Sequence, residues 1–240
     1  SNVYQYKIAI EIAKGKYVKN QALKIDTSAF KKYRDMYHQF GLGVKTEIDL
    51  PVESLGYKGK STLPGHLLDF SIGQYDTYTP IQLSQYINTI ANGGTRLKPY
   101  LLKEVYSPAV NDEDVFGDLI YASEKDILGT VDVEKKYIDR VKLGFSQVVS
   151  NGLGYGYMGK YHNSGGKTGT SQSFIDTDGN GVIDTETITT SFVGYSPSDN
   201  PTISIVVVSP DISLPDSNYQ SAVTKRISSQ IVNKYFSIYK

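Results

Sequence analysis

The stretch that decides the fold is Ser164-Gly165-Gly166-Lys167-Thr168-Gly169-Thr170-Ser171. It predicts a β-strand with one lysine flanked by glycines and hydroxyl side chains. Lys167 offers a point charge and the threonines offer hydrogen-bond donors, while the glycines let an extended substrate backbone approach as an added strand. This set of groups suits the binding of a carboxylate beside a reacting acyl group. A solvated lysine on a glycine-rich hairpin strand is the simpler alternative.

A phosphate-binding loop does not match this stretch. The Gly-x-x-x-x-Gly-Lys-Ser/Thr pattern requires a glycine five positions before Gly166, and that position is Tyr161.

Working outward, the apolar periodicity predicts an α+β fold. β segments are predicted over residues 164–172, 187–196 and 202–208, separated by turn-forming residues as in a meander. Helices are predicted over residues 3–13, 28–40, 134–150 and 219–239, and from Pro80 to the Gly93-Gly94 pair. The Pro80 helix has the clearest start, because Thr79-Pro80-Ile81-Gln82 forms a capping box. Residues 63–78 are expected to be a turn-rich connection and residues 107–118 an acidic surface loop.

The composition excludes several classes of protein. Lysine plus arginine and aspartate plus glutamate each number 25, so the net charge of zero gives no global attraction to nucleic acid or to an anionic membrane. Cysteine is absent, which excludes disulfides, thiol nucleophiles and thiolate metal sites. The histidines His38, His66 and His162 are scattered, so we expect structural roles for them. No signal peptide or spanning segment is recognisable, and we expect any membrane anchor to lie outside these residues.

Lys-Thr-Gly is one of three motifs of the active-site serine penicillin-recognising enzymes, with Ser-x-x-Lys and Ser-x-Asn. Further segments resemble the transpeptidase domain of monofunctional (class B) penicillin-binding proteins, in matching order and spacing. These segments are Phe40-Gly41-Leu42-Gly43 with Thr46-Glu47-Ile48-Asp49-Leu50-Pro51, Ile72-Gly73-Gln74 with Thr79-Pro80-Ile81-Gln82-Leu83, Ala91-Asn92-Gly93-Gly94 with Pro99, and Phe192-Val193-Gly194-Tyr195-Ser196-Pro197 before Asn200-Pro201. Asn2 then resembles the asparagine of Ser-x-Asn, unless Ser1-Asn2 derives from an engineered tag.

The resemblance implies a penicillin-recognising fold, in which N- and C-terminal helices pack on an antiparallel sheet beside a mostly helical lobe. It also implies a D-alanyl-D-alanine transpeptidase that cross-links peptidoglycan stem peptides at the extracytoplasmic face of the bacterial cytoplasmic membrane. β-Lactam antibiotics and other wall-synthesis proteins are the implied partners, nucleic acid is not one, and no metal or organic cofactor is required.

Motif matching assigns a role to each residue of the implied site. Lys167 supplies positive potential and belongs to the proton network, and Asn2 holds the substrate amide. Thr168 and Thr170 hydrogen-bond the substrate carboxylate, Gly169 between them is also substrate-binding, and the Thr170 backbone N–H supplies half of the oxyanion hole.

The chain departs from the family pattern at its front. No Ser-x-x-Lys precedes Asn2, and Ser28-Ala29-Phe30-Lys31 matches by letter but follows the second motif. We therefore expect residues 1–240 to be a single incomplete transpeptidase domain, lacking the N-terminal part that carries the nucleophilic serine. A smaller departure is Ser171-Gln172, where the family more usually has Ala-Glu. A serine β-lactamase or β-lactam sensor domain, and a non-catalytic scaffold of a wall-synthesis complex, are the alternatives.

A second constellation follows the Lys-Thr-Gly strand and resembles a calcium loop. Its candidate ligands are the side chains of Asp176, Asp178, Asn180 and Asp184 and the carbonyl of Val182. Position 12 of the template is Thr187, where calcium loops carry a bidentate glutamate. The pattern predicts weak calcium binding, and a polar hairpin connection is the alternative.

Overall fold

The computed structural model describes residues 1–111, 115–159, 163–212 and 222–239. Helices and strands both occur in these ranges, which confirms the predicted α+β class. The helices are α1 (Asn2–Ile12), α2 (Ser28–Gln39), α3 (Pro64–Ser71), α4 (Pro80–Ala91), α5 (Lys135–Ser150) and α6 (Val223–Ile238). The strands are β1 (Thr95–Leu97), β2 (Glu104–Tyr106), β3 (Leu119–Ala122), β4 (Ile127–Thr130), β5 (Gly165–Ile175), β6 (Thr185–Ser196) and β7 (Ile203–Ile212).

The main sheet is an antiparallel meander in the order β5-β6-β7, as the sequence predicts. Lys167 lies opposite Val193, which in turn lies opposite Val206. Within the described ranges β5 pairs with β6 alone, so β5 is an edge strand. Because side chains alternate along a strand, Lys167 points to one face of the sheet while Thr168 and Thr170 point to the other.

Each face of the sheet is covered by helices. On the Thr168 face, Phe192 and Val207 pack with Met158 and with Val232 of α6. On the Lys167 face, Val193 and Tyr195 pack with Ile87 of α4 and Phe145 of α5, among others. This burial of apolar surface holds the sheet between α6 on one face and α4 with α5 on the other.

The N-terminal helices form a separate lobe around an aromatic core. Ala9 of α1, Phe30 of α2, and Leu67 and Phe70 of α3 are buried together. The rings of Phe30 and Phe70 are stacked with centroids 6.1 Å apart. This lobe carries the loop between α3 and α4, which lies against the edge strand β5.

Helix α4 begins with the capping box that the sequence predicts. The Gln82 backbone N–H donates to the Thr79 hydroxyl at 3.3 Å, and the Thr79 N–H donates to Gln82 Oε1 at 3.0 Å. Gln82 is buried, and its Nε2 also donates to the Val44 carbonyl at 2.8 Å. Gln82 therefore joins α4 to the α2–α3 connection as well as capping the first turn of the helix.

Two predictions about local structure were wrong. Residues 64–71, expected within a turn-rich connection, form α3, because Pro64 occupies the first turn and Leu67 and Phe70 are buried three residues apart. Four short strands were also missed: β1 pairs with β4, and β2 pairs with β3. Strands of three or four residues are too short to show a period of two.

The predicted start of the last helix lies partly outside the described residues, which resume at residue 222, and α6 begins at Val223. Among the helices of the described ranges, none has the length and apolar character needed to cross a bilayer.

Candidate active site

The Lys-Thr-Gly strand lies unusually close to its neighbour β6. A Cβ atom added at Gly166 would lie 2.6 Å from the Phe192 ring, and one at Gly165 would lie 2.5 Å from the Tyr195 ring. Phe192 and Tyr195 are fully buried, so they have no room to move aside. The two glycines therefore let the strand that carries Lys167 sit directly on the packed sheet core.

Lys167 is exposed on the edge strand, and its Nζ donates to the Thr168 carbonyl at 2.6 Å. No carboxylate lies within ion-pair distance of it in the described part of the chain. Although the residue as a whole reaches solvent, partial desolvation lowers the pKa of the ammonium group. Because no carboxylate of the described residues neutralises it, the ammonium group can pair with a ligand anion. Its lowered pKa also means that it releases its proton more readily than a fully hydrated lysine.

Thr168 and Thr170 line a cavity of about 230 Å³ on the opposite face of the strand. Its walls include Tyr157, whose ring stacks on Phe192 with centroids 4.7 Å apart, and the buried Thr190. The Thr190 hydroxyl has no hydrogen-bond partner in the described structure. The face is thus rich in hydroxyl groups, which can hydrogen-bond a carboxylate or an amide.

A larger cavity, of about 500 Å³, opens on the Lys167 face beyond the Lys-Thr-Gly-Thr segment. One wall is the strand residues Ser171 and Ser173, and the other is the loop of residues 73–78 that follows α3. Gln74 on this loop donates from Nε2 to Gln172 Oε1 at 3.3 Å. The N-terminal lobe and the edge strand therefore meet at this cavity.

A buried ion pair joins the loop of residues 73–78 to helix α2. Arg34 donates from Nε and Nη2 to the two carboxylate oxygens of Asp76, both at 2.8 Å. Asp76 also accepts from the Gly59 N–H at 2.9 Å, and its side chain is only 5% exposed. Neither residue was selected from the sequence, since their pairing joins α2 to a loop 42 positions away and leaves no periodic signal.

The structure places Asn2 at the first position of α1, where it is exposed. Within the described residues no hydrogen bond joins it to Lys167 or Thr170. Its assignment as a site residue therefore stays a prediction.

The other serine-lysine pair matched by letter, Ser28 with Lys31, lies at the start of α2. Lys31 pairs with Asp35 at 2.6 Å instead of approaching the serine. A serine nucleophile needs an adjacent base, so this pair does not form a catalytic unit.

The acidic loop after β5 brings three of its predicted ligands together. Carboxylate oxygens of Asp176, Asp178 and Asp184 lie within 4.8 Å of one another. Asp176 already accepts from the backbone N–H groups of Gly181 at 2.6 Å and Gly179 at 2.8 Å, and these bonds lower the pKa of its carboxyl group. The side-chain Oδ1 of Asn180 accepts from the Val182 N–H at 2.8 Å. These hydrogen bonds within the loop are typical of a polar hairpin connection.

The histidines in the described ranges have surroundings typical of structural residues. His66 stacks on Tyr75 with centroids 5.1 Å apart. His38 is half-buried beside the Arg34–Asp76 pair, and burial lowers the pKa of its imidazole. His162 lies outside the described residues.

Comparison with known proteins bears on the whole chain. The family model described as "Penicillin binding protein transpeptidase domain" matches residues 1–233. Penicillin-binding protein 2A of Bacillus subtilis is 46% identical over 239 residues, which cover 99% of this chain and 33% of that protein. Penicillin-binding protein 2B of Streptococcus pneumoniae is 34% identical over 242 residues, covering 98% of this chain and 34% of that protein.

Solved structures agree with these matches. Penicillin-binding protein 2B from Streptococcus pneumoniae strain R6 superposes with a TM-score of 0.83 at 33% identity, over 99% of this chain and 38% of that one. The transpeptidase domain of Burkholderia pseudomallei penicillin-binding protein 3 shares the fold, with a TM-score of 0.68 at 20% identity, over 100% of this chain and 62% of that one. The chain spans about a third of the length of the curated relatives it matches. On the family match and on identities of 34% to 46% over nearly its whole length, this chain belongs to the penicillin-binding protein transpeptidase family.

Proposed function

We propose that residues 1–240 are the C-terminal part of a serine-type D-alanyl-D-alanine transpeptidase domain, whose Ser-x-x-Lys segment precedes them. The observation that carries this proposal is the position of Lys167, Thr168 and Thr170 on an edge strand with cavities on both faces. An edge strand presents unpaired backbone groups, so an extended peptide can lie along it as an additional strand. Family membership supports the same reaction.

In the proposed reaction a serine attacks the carbonyl of the penultimate D-alanine, and the terminal D-alanine leaves with the proton that its amine gains. An amine of a second stem peptide then attacks the acyl-enzyme ester, forms the new amide and releases the serine. Two oxyanion donors stabilise each tetrahedral intermediate, one of which is the Thr170 backbone N–H.

The residues on β5 divide the remaining work by face. Lys167 supplies positive potential that attracts the substrate carboxylate across the strand, and it holds a mobile proton near the reacting centre. The Thr168 and Thr170 hydroxyls hydrogen-bond that carboxylate directly, and Gly169 between them leaves space for the substrate backbone. Asn2 orients the substrate amide in this proposal. The lowered pKa of Lys167 supports its part, because proton transfer near neutral pH needs a lysine that is not fully hydrated.

The substrates and partners follow from this chemistry. Peptidoglycan stem peptides are the proposed donor and acceptor, β-lactam antibiotics the proposed covalent inhibitors, and other wall-synthesis proteins the proposed partners. The site of action is then the extracytoplasmic face of the cytoplasmic membrane, with an anchor outside these residues.

We propose that the reaction needs no metal or organic cofactor, and that calcium binding at residues 176–184 is weak. The loop offers four side-chain oxygens and the Val182 carbonyl, fewer than the six to eight ligands that calcium takes. Part of this capacity is already used by hydrogen bonds within the loop.

Labelling with a fluorescent penicillin tests the proposed function. The complete protein should form a stable covalent adduct, and the isolated 240-residue chain should form none. In the complete protein, Lys167→Ala should slow acylation by about 10²-fold or more, because loss of a preorganised charge or donor at a reacting acyl group has this scale of effect. Lys19→Ala, which removes an exposed lysine, is the matched control and should not change the rate.

Three outcomes would contradict the proposal. An adduct on an internal serine of the isolated chain would show that the nucleophile lies within it. Acylation of the Lys167→Ala protein within twofold of the wild-type rate would remove Lys167 from the site. Rapid release of hydrolysed penicillin by the complete protein would instead indicate a β-lactamase.

A further inference from the structure

Gln172, on the edge strand two residues beyond Thr170, links the strand to the N-terminal lobe and to β6. We propose that Gln172 is a positioning residue of the transpeptidase reaction: it straps the loop of residues 73–78 to β5 and so sets the width of the cleft beside the Lys-Thr-Gly segment. This inference rests on the proposed function, and it assigns a role to a residue that motif matching leaves without one.

Gln172 uses both ends of its side-chain amide. Its Nε2 donates to Glu186 Oε1 at 2.8 Å, and its Oε1 accepts from Gln74 Nε2 at 3.3 Å. A carboxylate can only accept hydrogen bonds, so Glu186 requires the NH2 end of Gln172. That requirement turns the oxygen of Gln172 toward Gln74, and the three residues form a chain with one direction.

The Gln74 end of this series of hydrogen bonds lies on a loop that is well fixed to the N-terminal lobe. Asp76, two residues after Gln74, accepts two hydrogen bonds from Arg34. Thr77 exchanges two backbone hydrogen bonds with Tyr57, at 3.0 Å and 2.9 Å. Because the loop is fixed on the lobe side, its hydrogen bond to Gln172 connects the lobe to β5.

The hydrogen bond between Gln74 and Gln172 lies at the wall of the cavity of about 500 Å³, which both residues help to line. Lys167 lies on the same face of β5 as Ser171, which also lines this cavity. A substrate that adds to the outer edge of β5 must run past the strap as it leaves the Lys-Thr-Gly segment. The strap therefore controls the separation of the two walls between which the substrate peptide is held.

The chain of hydrogen bonds explains the departure from the family pattern at this position. The more usual glutamate could still accept from Gln74, but it could not donate to Glu186 and would meet a like charge there. The amide accepts from one neighbour and donates to the other. In this chain a neutral amide at position 172 avoids the repulsion that a second carboxylate would meet from Glu186.

The test is a double-variant cycle in the complete protein that exchanges the amide of residue 172 and the carboxylate of residue 186, with a fluorescent penicillin as the probe. The binding constant and the acylation rate constant are measured separately by varying the penicillin concentration. Gln172→Glu should lower the acylation rate constant about fivefold, since loss of orientation acts on the chemical step. Combining it with Glu186→Gln restores an amide-carboxylate pair of reversed direction, and the rate should return to within about twofold of wild type.

Hydrogen exchange gives a second readout that does not need acylation. Amides of residues 73–78 should exchange faster in Gln172→Glu than in wild type, and the double variant should restore their protection. Gln21→Glu adds the same charge at an exposed position of the α1–α2 connection, so it is the matched control and should change neither readout.

The outcomes separate the two proposals. Gln172→Glu acylated at the wild-type rate, or a double variant no faster than the single one, would overturn the positioning role. A wild-type protein that does not react with penicillin would instead overturn the proposed function, and the exchange of residues 73–78 would then decide the strap alone.

Discussion

Replacing Asp76 with alanine removes one half of the buried ion pair that holds the loop of residues 73–78. The side chains of Arg34 and Asp76 are 13% and 5% exposed, and two hydrogen bonds of 2.8 Å join them. Alanine leaves the guanidinium buried without its counter-charge and leaves the Gly59 N–H without its acceptor. Breaking a buried pair in this way costs about 3–5 kcal/mol.

This loss of free energy sets the expected decrease in melting temperature. With an unfolding entropy of about 2.1 cal/mol/K per residue, a chain of 240 residues has about 0.5 kcal/mol/K in total. The loss of 3–5 kcal/mol therefore lowers the melting temperature by about 6–10 °C, measured by circular dichroism or calorimetry. Asp76→Asn, which keeps the shape and one acceptor oxygen, should lose about half as much.

A double variant separates the ion pair from the shape of the site. Arg34→Met combined with Asp76→Leu removes both charges, so the penalty of an unpaired buried charge disappears, and stability should recover above that of Asp76→Ala. A decrease below 2 °C for Asp76→Ala, or a double variant less stable than it, would refute the reasoning that an unpaired buried charge dominates the loss.

Three further predictions concern other parts of the chain. Thr79→Ala should destabilise the protein by about 1 kcal/mol through loss of the α4 cap, whereas Thr79→Ser should retain most of the stability. Chemical denaturation measures both losses, and equal losses would contradict the capping role of Thr79. Burial lowers the pKa of His38 below its usual 6.5, so the unfolded state binds protons more readily than the folded state. The stability that the neutral imidazole contributes therefore declines as the pH falls through 6.5 toward the folded-state pKa. His38→Gln should flatten this part of the plot of stability against pH, and an unchanged slope would argue against a contribution from His38. Calcium should raise the melting temperature only at millimolar concentration and less so in Asp178→Ala; a rise of several degrees at micromolar calcium would show that the loop binds tightly.

Much of the sheet was predictable because its signals are local. The Lys-Thr-Gly segment, its alternation of faces and the meander that follows depend on residues close in sequence. The same holds for the Thr79-Gln82 cap, whose partners are three positions apart. The acidic loop is similar, since its three converging carboxylates lie within nine residues.

The contacts that shape the candidate site are not local. Arg34 and Asp76 lie 42 positions apart, and Gln74 and Gln172 lie 98 apart. Single polar side chains carry no periodic pattern, so nothing in the sequence indicates which of them will meet. Only the motif resemblance drew attention to Gln74 and Gln172, and it did not pair them.

The sequence by itself determined the strand that bears Lys167, the capped α4 helix and the family resemblance, because each depends on short-range geometry and residue chemistry. Only the tertiary structure decided that Lys167 and the threonines face different cavities, and that the lobe meets β5 through Gln74 and Gln172. The physical reason is that hydrogen bonds form wherever packing brings donors and acceptors together, and the burial of apolar side chains from distant segments sets that packing.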